Sequence, residues 1–208
     1  MKTTPLPLSV LIVEDHDITL AGITLVLSRF PEFSIADTLS RGSLVADTVR
    51  KGDVDLILLD FELPDMNGSD LLAELVGRFD MRIVILTGTQ DARAFDFAKR
   101  MGALGLVSKA DPSEHIVSAL RAAAYSKFYL SPLVEEKLGL LDCPQIILTH
   151  RQNAILHFLN SGYSNKEIGY RLGIAPPTVS FHIAELRRKL GADHTRNILA
   201  RAKALGLN

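Results

Sequence analysis

Residues 56–68 read L-I-L-L-D-F-E-L-P-D-M-N-G, and this stretch decides the fold of the N-terminal half. The run Leu56–Leu59 is continuously apolar and ends on a carboxylate, Asp60. A short apolar run without alternation fits a strand buried on both faces, the habit of a parallel sheet covered by helices. The same texture recurs on either side. Val10–Val13 runs into Glu14-Asp15, Ile83–Leu86 into Thr87, and Leu104–Val107 into Ser108-Lys109, while Phe33–Ala36 supplies one more strand. Between these runs lie helix-like stretches: Ile18–Arg29, with Ile23, Val26, Leu27 and Phe30 at helical spacing, then Ser69–Phe79, Ala92–Met101 and Ser113–Ser126. Pro112 ahead of Ser113 and Glu114 reads as a helix start. The alternation predicts five β/α units around a parallel sheet over residues 1–130.

The texture changes after about Tyr129. Residues 131–146 contain Pro132, Gly139 and Pro144, with room for a short helix between Pro132 and Leu141, and read as a linker. Residues 147–208 are helical throughout, with segments Arg151–Asn160, Asn165–Leu172, Pro177–Leu190 and Thr195–Leu205 broken by Gly173 and the Pro176-Pro177 pair. Charge divides at the same place. Residues 1–144 carry 14 Lys and Arg against 21 Asp and Glu, a balance of −7; residues 145–208 carry 9 against 3, a balance of +6. An acidic half joined to a basic half points to two domains with different partners, the basic one suited to phosphates. A single cysteine, Cys143, excludes an intrachain disulfide framework and fits a reducing cytoplasm. No apolar run is long enough to cross a bilayer, and Met1–Val10 lacks the apolar stretch of a signal peptide, so no membrane segment is expected.

Ligands of an open parallel sheet gather at the carboxyl ends of its strands. Here those ends carry Glu14, Asp15, Asp60, Thr87 and Lys109. Clustered carboxylates repel one another, and a hard, oxygen-seeking cation such as Mg²⁺ relieves the repulsion. The absence of thiols argues against zinc. A metal-held carboxylate is also a plausible nucleophile toward phosphorus. The charges then suggest roles: Asp60 attacks, Asp15 and Asp60 hold Mg²⁺ with Glu14 direct or through a water, and Thr87 and Lys109 stabilise the phosphoryl oxygens. Any one of these residues alone could simply end a strand; the combination is what is specific.

V-L-I-V-E-D-H (10–16), L-I-L-L-D-F-E-L-P-D-M-N-G (56–68), I-V-I-L-T-G (83–88) and G-A-L-G-L-V-S-K (102–109) resemble the receiver domains of two-component signalling. The resemblance covers roughly residues 8–128, and it implies a flavodoxin-like (βα)5 fold. It further implies that Asp60 accepts a phosphoryl group from a histidine of a sensor kinase, and that the backbone carbonyl of Glu62 is another Mg²⁺ ligand. One departure stands out. Receivers usually carry Tyr or Phe three residues before the lysine as a switch, and here that position is Leu106. Coupling would then be weaker, or carried by the loops after Asp60 and Thr87.

In the basic half, Asn165–Leu190 has the pattern of helix, turn and helix, with Asn165 as a plausible N-cap. Ile168, Leu172, Ile174, Val179, Ile183 and Leu186 are the expected core. Thr178, Ser180 and His182 lie where bases and phosphates would be reached, and Lys166, Arg171, Arg187, Arg188 and Lys189 supply positive charge. Periodicity alone fits a small helical bundle with a solvated basic face equally well. The motifs L-T-x-R (148–151), G-Y-S-N-K-E-I (162–168), R-L-G-I (171–174), T-V-S-F-H-I (178–183) and K-L-G-A (189–192), with Arg196, resemble the LuxR-type helix-turn-helix. Joined to a receiver, they are similar to the NarL/FixJ family. That resemblance implies an all-α four-helix DNA-binding domain with Pro177–Leu190 as recognition helix and the last helix often used in dimerisation. Ser180 stands where the family has lysine, followed by Phe181; Ala175 replaces a capping serine, and Gln152 replaces a glutamate. Ser180 would hydrogen-bond less selectively than lysine, and Phe181 could contact a thymine methyl. His182 either touches a phosphate or sits at a packing edge.

The expected function is a cytoplasmic, DNA-binding response regulator that is not an enzyme beyond slow Mg²⁺-dependent self-phosphorylation and self-dephosphorylation. Its expected partners are a sensor histidine kinase, double-stranded DNA and, when active, a second copy of itself. Two other classes remain open from the sequence: an interaction or phosphate-sink protein that no longer reads DNA, motivated by Leu106 and Ser180, and a Mg²⁺-dependent phosphohydrolase using the same acidic pocket.

Overall fold

A computed structural model describes residues 6–89, 91–139 and 146–207. Cys143 and Pro144, assigned above to the linker, lie outside the described residues, as do Met1–Pro5. The receiver half comprises β1 (Leu8–Val13), α1 (Asp17–Leu27), β2 (Phe33–Leu39), α2 (Val45–Arg50), β3 (Leu56–Asp60), α3 (Gly68–Phe79), β4 (Arg82–Thr87), α4 (Ala92–Met101), β5 (Gly105–Ser108) and α5 (Glu114–Ala124). Five strands were expected. The sheet has six parallel strands among the described residues, in the order β2-β1-β3-β4-β5-β6, the last being Tyr129–Leu130. It is followed at once by α6 (Pro132–Leu138), the short helix that the linker left room for. A two-residue strand leaves no apolar period to read, which is why the sequence placed Tyr129 and Leu130 at the start of the linker.

The strands alternate strictly between two cores. Leu11, Val13, Ile57, Leu59, Ile83, Ile85 and Leu106 point to the side covered by α2, α3, α4 and α6; Val10, Ile12, Leu56, Leu58, Val84, Leu86 and Val107 point to α1 and α5. Both faces are therefore dry, and the near-continuous apolar strands follow from that. At the end of β3, Gly68 lies so close to the backbone carbonyl of Phe61 that a Cβ there would collide with it. The glycine of the Asp60–Gly68 motif is what lets the loop fold back beside the strand end.

The C-terminal half comprises α7 (His150–Asn160), α8 (Asn165–Leu172), α9 (Pro176–Leu190) and α10 (Ile198–Ala204). Helix α7 begins with a capping box between Thr149 and Gln152. Asn165 is not the cap of α8: Ser164 is, in a capping box with Glu167, and Asn165 is the first helical residue. The serine hydroxyl one residue earlier takes the orphan N–H of Glu167, freeing the Asn165 amide for another partner. Helix α9 starts at Ala175 with extended backbone and no side-chain cap, as the missing hydroxyl implies. Ile168, Leu172, Val179, Ile183 and Leu186 are buried together, as expected, with Ile174 partly buried against them.

The two halves are not held apart. Helix α3 packs on α7 and α8, and α4 packs on α7, so the α3/α4 core runs without a break into the helical domain. Around that apolar contact, Asn153 Nδ2 donates to Arg100 O at 2.7 Å, Arg151 donates to Gly77 O at 2.5 Å, and His157 Nε2 lies 2.5 Å from Asp70 Oδ1.

Candidate functional site

In this strand order β2 lies on one side of β1 and β3 on the other, so the winding reverses and a crevice opens beyond the carboxyl ends of β1 and β3. Glu14 and Asp15 follow β1, and Asp60 ends β3. One candidate ligand atom from each of Glu14, Asp15, His16 and Asp60 lies within 4.8 Å of the others. Lys109, just past β5, reaches across with Nζ 2.7 Å from Asp60 Oδ2 and 2.8 Å from Glu14 Oε2. Its own N–H donates to Thr87 O at 2.8 Å, which ties the ends of β4 and β5 together. Glu62 N donates to the other Asp60 oxygen at 3.0 Å. The sequence-derived set Glu14, Asp15, Asp60 and Lys109 is thus one constellation; Thr87 is buried at the end of β4, its hydroxyl accepting from Thr89 N at 3.2 Å.

Glu14 and Asp60 are only 2 % and 1 % exposed. Burial is the main cause that pushes the Asp60 carboxyl above its usual range, and it outweighs the hydrogen bonds from Lys109 and Glu62 N that favour the anion. Burial also disfavours the Lys109 ammonium, but its bonds to Asp60 and Glu14 prevail and hold its pKa above the ordinary lysine value. One ammonium thus bridges two of the three clustered carboxylates. The partners of the two buried oxygens are cationic or titratable side chains: Lys109 Nζ lies 2.8 Å from Glu14 Oε2, and His16 Nδ1 lies 2.9 Å from Asp15 Oδ1. Three clustered carboxylates with a single ammonium among them, a donor set dominated by oxygen, fit a hard divalent cation. His16 sits beside them with Nδ1 3.0 Å from Glu14 Oε1, and that bond raises its pKa.

Leu106, the position expected to act as a switch, is fully closed. Leu106 is 0 % exposed, paired in the sheet between Ile85 and Leu130. Helix α6 packs against α4 and β5 over it, with Val134 also 0 % exposed. Two hydrogen bonds pin this cover to the end of β5: Ser108 N donates to the buried Ser131 Oγ at 3.0 Å, and Leu133 N to Asp111 Oδ2 at 3.3 Å. Sequence reasoning missed Ser131, which lies in no periodic segment and is as ordinary in a linker as at a buried contact.

In the helical domain, α9 packs chiefly on α7, α8 and α10, and its outer face is open. Lys166, Thr178, Ser180, Phe181, Arg187 and Arg188 are exposed, and His182 is half-buried. Two of the expected basic contacts have other partners. Arg171 donates to Tyr163 Oη at 2.9 Å, stacks 4.5 Å from that ring, and lies 3.6 Å from Glu74 of the receiver half. Lys189 Nζ donates to Gln152 Oε1 at 2.9 Å and to Ile147 O at 3.3 Å. Both charges were legible in the sequence, but the carboxylate, ring and carbonyls that claim them come from other elements.

None of the described helices is long and apolar enough to cross a membrane. A family model described as "Response regulator receiver domain" matches residues 10–121, and one described as "Bacterial regulatory proteins, luxR family" matches residues 146–202. The chain is 34 % identical over 194 residues to the nitrate/nitrite response regulator protein NarP of Escherichia coli (strain K12), covering 88 % of this chain and 89 % of that protein. It is 30 % identical over 207 residues to the Fimbriae Z protein of Salmonella typhimurium, covering 95 % and 97 %. Among solved structures, the RcsB response regulator of Salmonella typhimurium is similar in fold, with a TM-score of 0.63 at 20 % identity over 95 % of this chain and 99 % of that one. The response regulator ChrA of a heme-sensing two-component system gives 0.54 at 25 % identity over 98 % and 100 %. A buried acidic pocket at the switch point of a parallel sheet, an open recognition helix and these matches lead to one conclusion: the chain belongs to the NarL/FixJ-type response regulators, in which a receiver is joined to a LuxR-type DNA-binding domain that controls transcription.

Proposed function

We propose that Asp60 is the phosphoacceptor of a switch that controls how this regulator assembles on DNA. The observation that carries the reading is the buried Asp60 carboxylate, with Lys109 Nζ at 2.7 Å and the Glu14 and Asp15 carboxylates beside it. The donor is a phosphohistidine of a sensor kinase. One Asp60 oxygen forms a bond to phosphorus as the P–N bond breaks, and the electron pair stays on the imidazole nitrogen, which takes up a proton. The Lys109 ammonium follows the charge from Asp60 onto a phosphoryl oxygen, and the Thr87 hydroxyl donates to another. Glu14, Asp15, Asp60 and the backbone carbonyl of Glu62 would hold Mg²⁺, which when bound supplies positive charge to the phosphoryl oxygens. The chain's own catalysis is limited to slow self-phosphorylation from small donors and slow self-dephosphorylation, in the cytoplasm.

Because the outer face of α9 is already open, phosphorylation works by bringing two copies together rather than by uncovering the helix. A symmetric homodimer would place two recognition helices on half-sites one turn of duplex, or a multiple of it, apart. Lys166, Arg187 and Arg188 contact phosphates, Thr178, Ser180, Phe181 and His182 face the groove, and Arg171 and Lys189 brace the domain from within.

The test is incubation with Mg²⁺ and acetyl phosphate, followed by intact mass. The parent should gain one phosphoryl group and Asp60→Asn none. A variant that is still modified would remove Asp60 from its role. A parent left unmodified beside a working control receiver would mean control by something other than phosphate.

A further inference from the structure

We propose that the recognition helix selects thymine through apolar contact, with the Phe181 ring as the specificity determinant. The inference rests on the DNA-binding reading above and deepens it.

At 3.6 residues per turn, the buried stripe of α9, Val179, Ile183, Leu186 and Leu190, puts Pro177, Phe181, Ala184 and Arg188 on the opposite side. Phe181 therefore points straight away from the domain, and the residue is 62 % exposed. Its recorded aromatic neighbour is the edge of His182, with ring centroids 5.6 Å apart. A large aromatic side chain held in water at the centre of a nucleic-acid-reading helix calls for an apolar target.

Its immediate polar neighbours, Ser180 and His182, are weaker base readers than a cationic side chain. Ser180 Oγ donates to Pro176 O at 3.2 Å and accepts from Asn165 Nδ2 at 3.1 Å, so its single donor is engaged within the protein and one acceptor lone pair is left. His182 has its pKa lowered, by burial first and then by the nearby Arg151 charge, which disfavours a cationic ring. From Pro176 to Leu186 the helix has no Lys or Arg, and its one charged residue is Glu185. Guanine in the major groove is read by a cationic donor pair aimed at O6 and N7. The outer face of α9 has none until Arg187 and Arg188, in its last turn, and Arg188 is 3.1 Å from Glu185. The feature of the major groove that an exposed ring fits is the C5-methyl of thymine.

The experiment uses the full-length protein, treated with Mg²⁺ and acetyl phosphate. Sites are selected from random duplex at fixed salt. Each thymine of the selected half-site is then replaced by deoxyuridine, which removes the methyl and leaves the base pair intact. At one or two positions per half-site the parent should lose about four-fold in affinity per methyl, the worth of one buried methylene. Phe181→Ala should bind thymine and uracil versions equally, and Phe181→Leu should retain part of the difference. Matching urea midpoints check that the variants are folded. A selected site indifferent to deoxyuridine, or equally sensitive in Phe181→Ala, overturns the inference and leaves DNA binding standing. Failure to bind any duplex, with a protein partner captured by α9 instead, overturns both.

Discussion

Asp60 is 1 % exposed, and burial lifts its pKa above the carboxylate range, so ionising it costs folding free energy. The sign follows from linkage. With a folded pKa above the unfolded 3.8, the native state binds the proton more tightly, and the stability this brings is full below pH 3.8 and is lost as pH rises through the folded value. At pH 7 without divalent cations, Asp60→Asn is therefore expected to be more stable than the parent by roughly 1 kcal/mol, in the ordinary range for a single substitution. The gap should narrow toward pH 4. Mg²⁺ should stabilise the parent more than the variant, since a cation bound to the native state adds its binding free energy. Thermal melts in EDTA and in Mg²⁺ check all three, and a variant less stable than the parent in EDTA at pH 7 would contradict the account. The identity of these residues was legible because each ends an apolar run. Their protonation was not, because it depends on burial and on Lys109 arriving from a strand 49 positions away.

Among the elements, the sixth strand and α6 close over the end of β5. In this chain Leu106 is sealed in the core, and the residues that could feel a change at Lys109 are its neighbours, Ser108 and Asp111, which hold α6. Ser131→Ala leaves the buried Ser108 N–H without an acceptor. An unsatisfied buried donor costs about 1–3 kcal/mol. The expected outcome is faster amide exchange across residues 132–138 and a lower unfolding midpoint, while acetyl phosphate still modifies Asp60. Unchanged exchange in α6 would show that the serine does not hold it. The apolar runs predicted β1, β3, β4 and β5 closely, because strands dry on both faces write their burial directly into composition. The cap of α8 was misplaced by one residue because Ser164 and Asn165 are both good caps, and only the capping-box geometry chooses between them.

Across the molecule, the receiver grips the helical domain through α3 and α4 while α9 faces outward. Gly77 is at a tight point, where a Cβ would fall on Leu172 Cδ2 of α8. Gly77→Leu should strengthen α3 as a helix, since leucine is favoured over glycine by roughly 0.8 kcal/mol, yet wedge the domains apart. The measurement is small-angle scattering: a larger radius of gyration is expected, with the two domains melting separately. An unchanged radius with one cooperative melt would mean that the interface adapts to the larger side chain.

Residues 1–208 carry in their order the parallel sheet, the acidic strand ends, the helix-turn-helix and the division of charge. These are local properties: apolar period, chain punctuation and residue type. Where Arg171 and Lys189 spend their charge, what covers Leu106 and which face of α9 stays open were set by elements distant in the chain. Those outcomes depend on which surfaces meet once the helices and sheet exist. A pairing such as Arg171 with Glu74, or Gly77 with Leu172, leaves no period in the sequence to announce it.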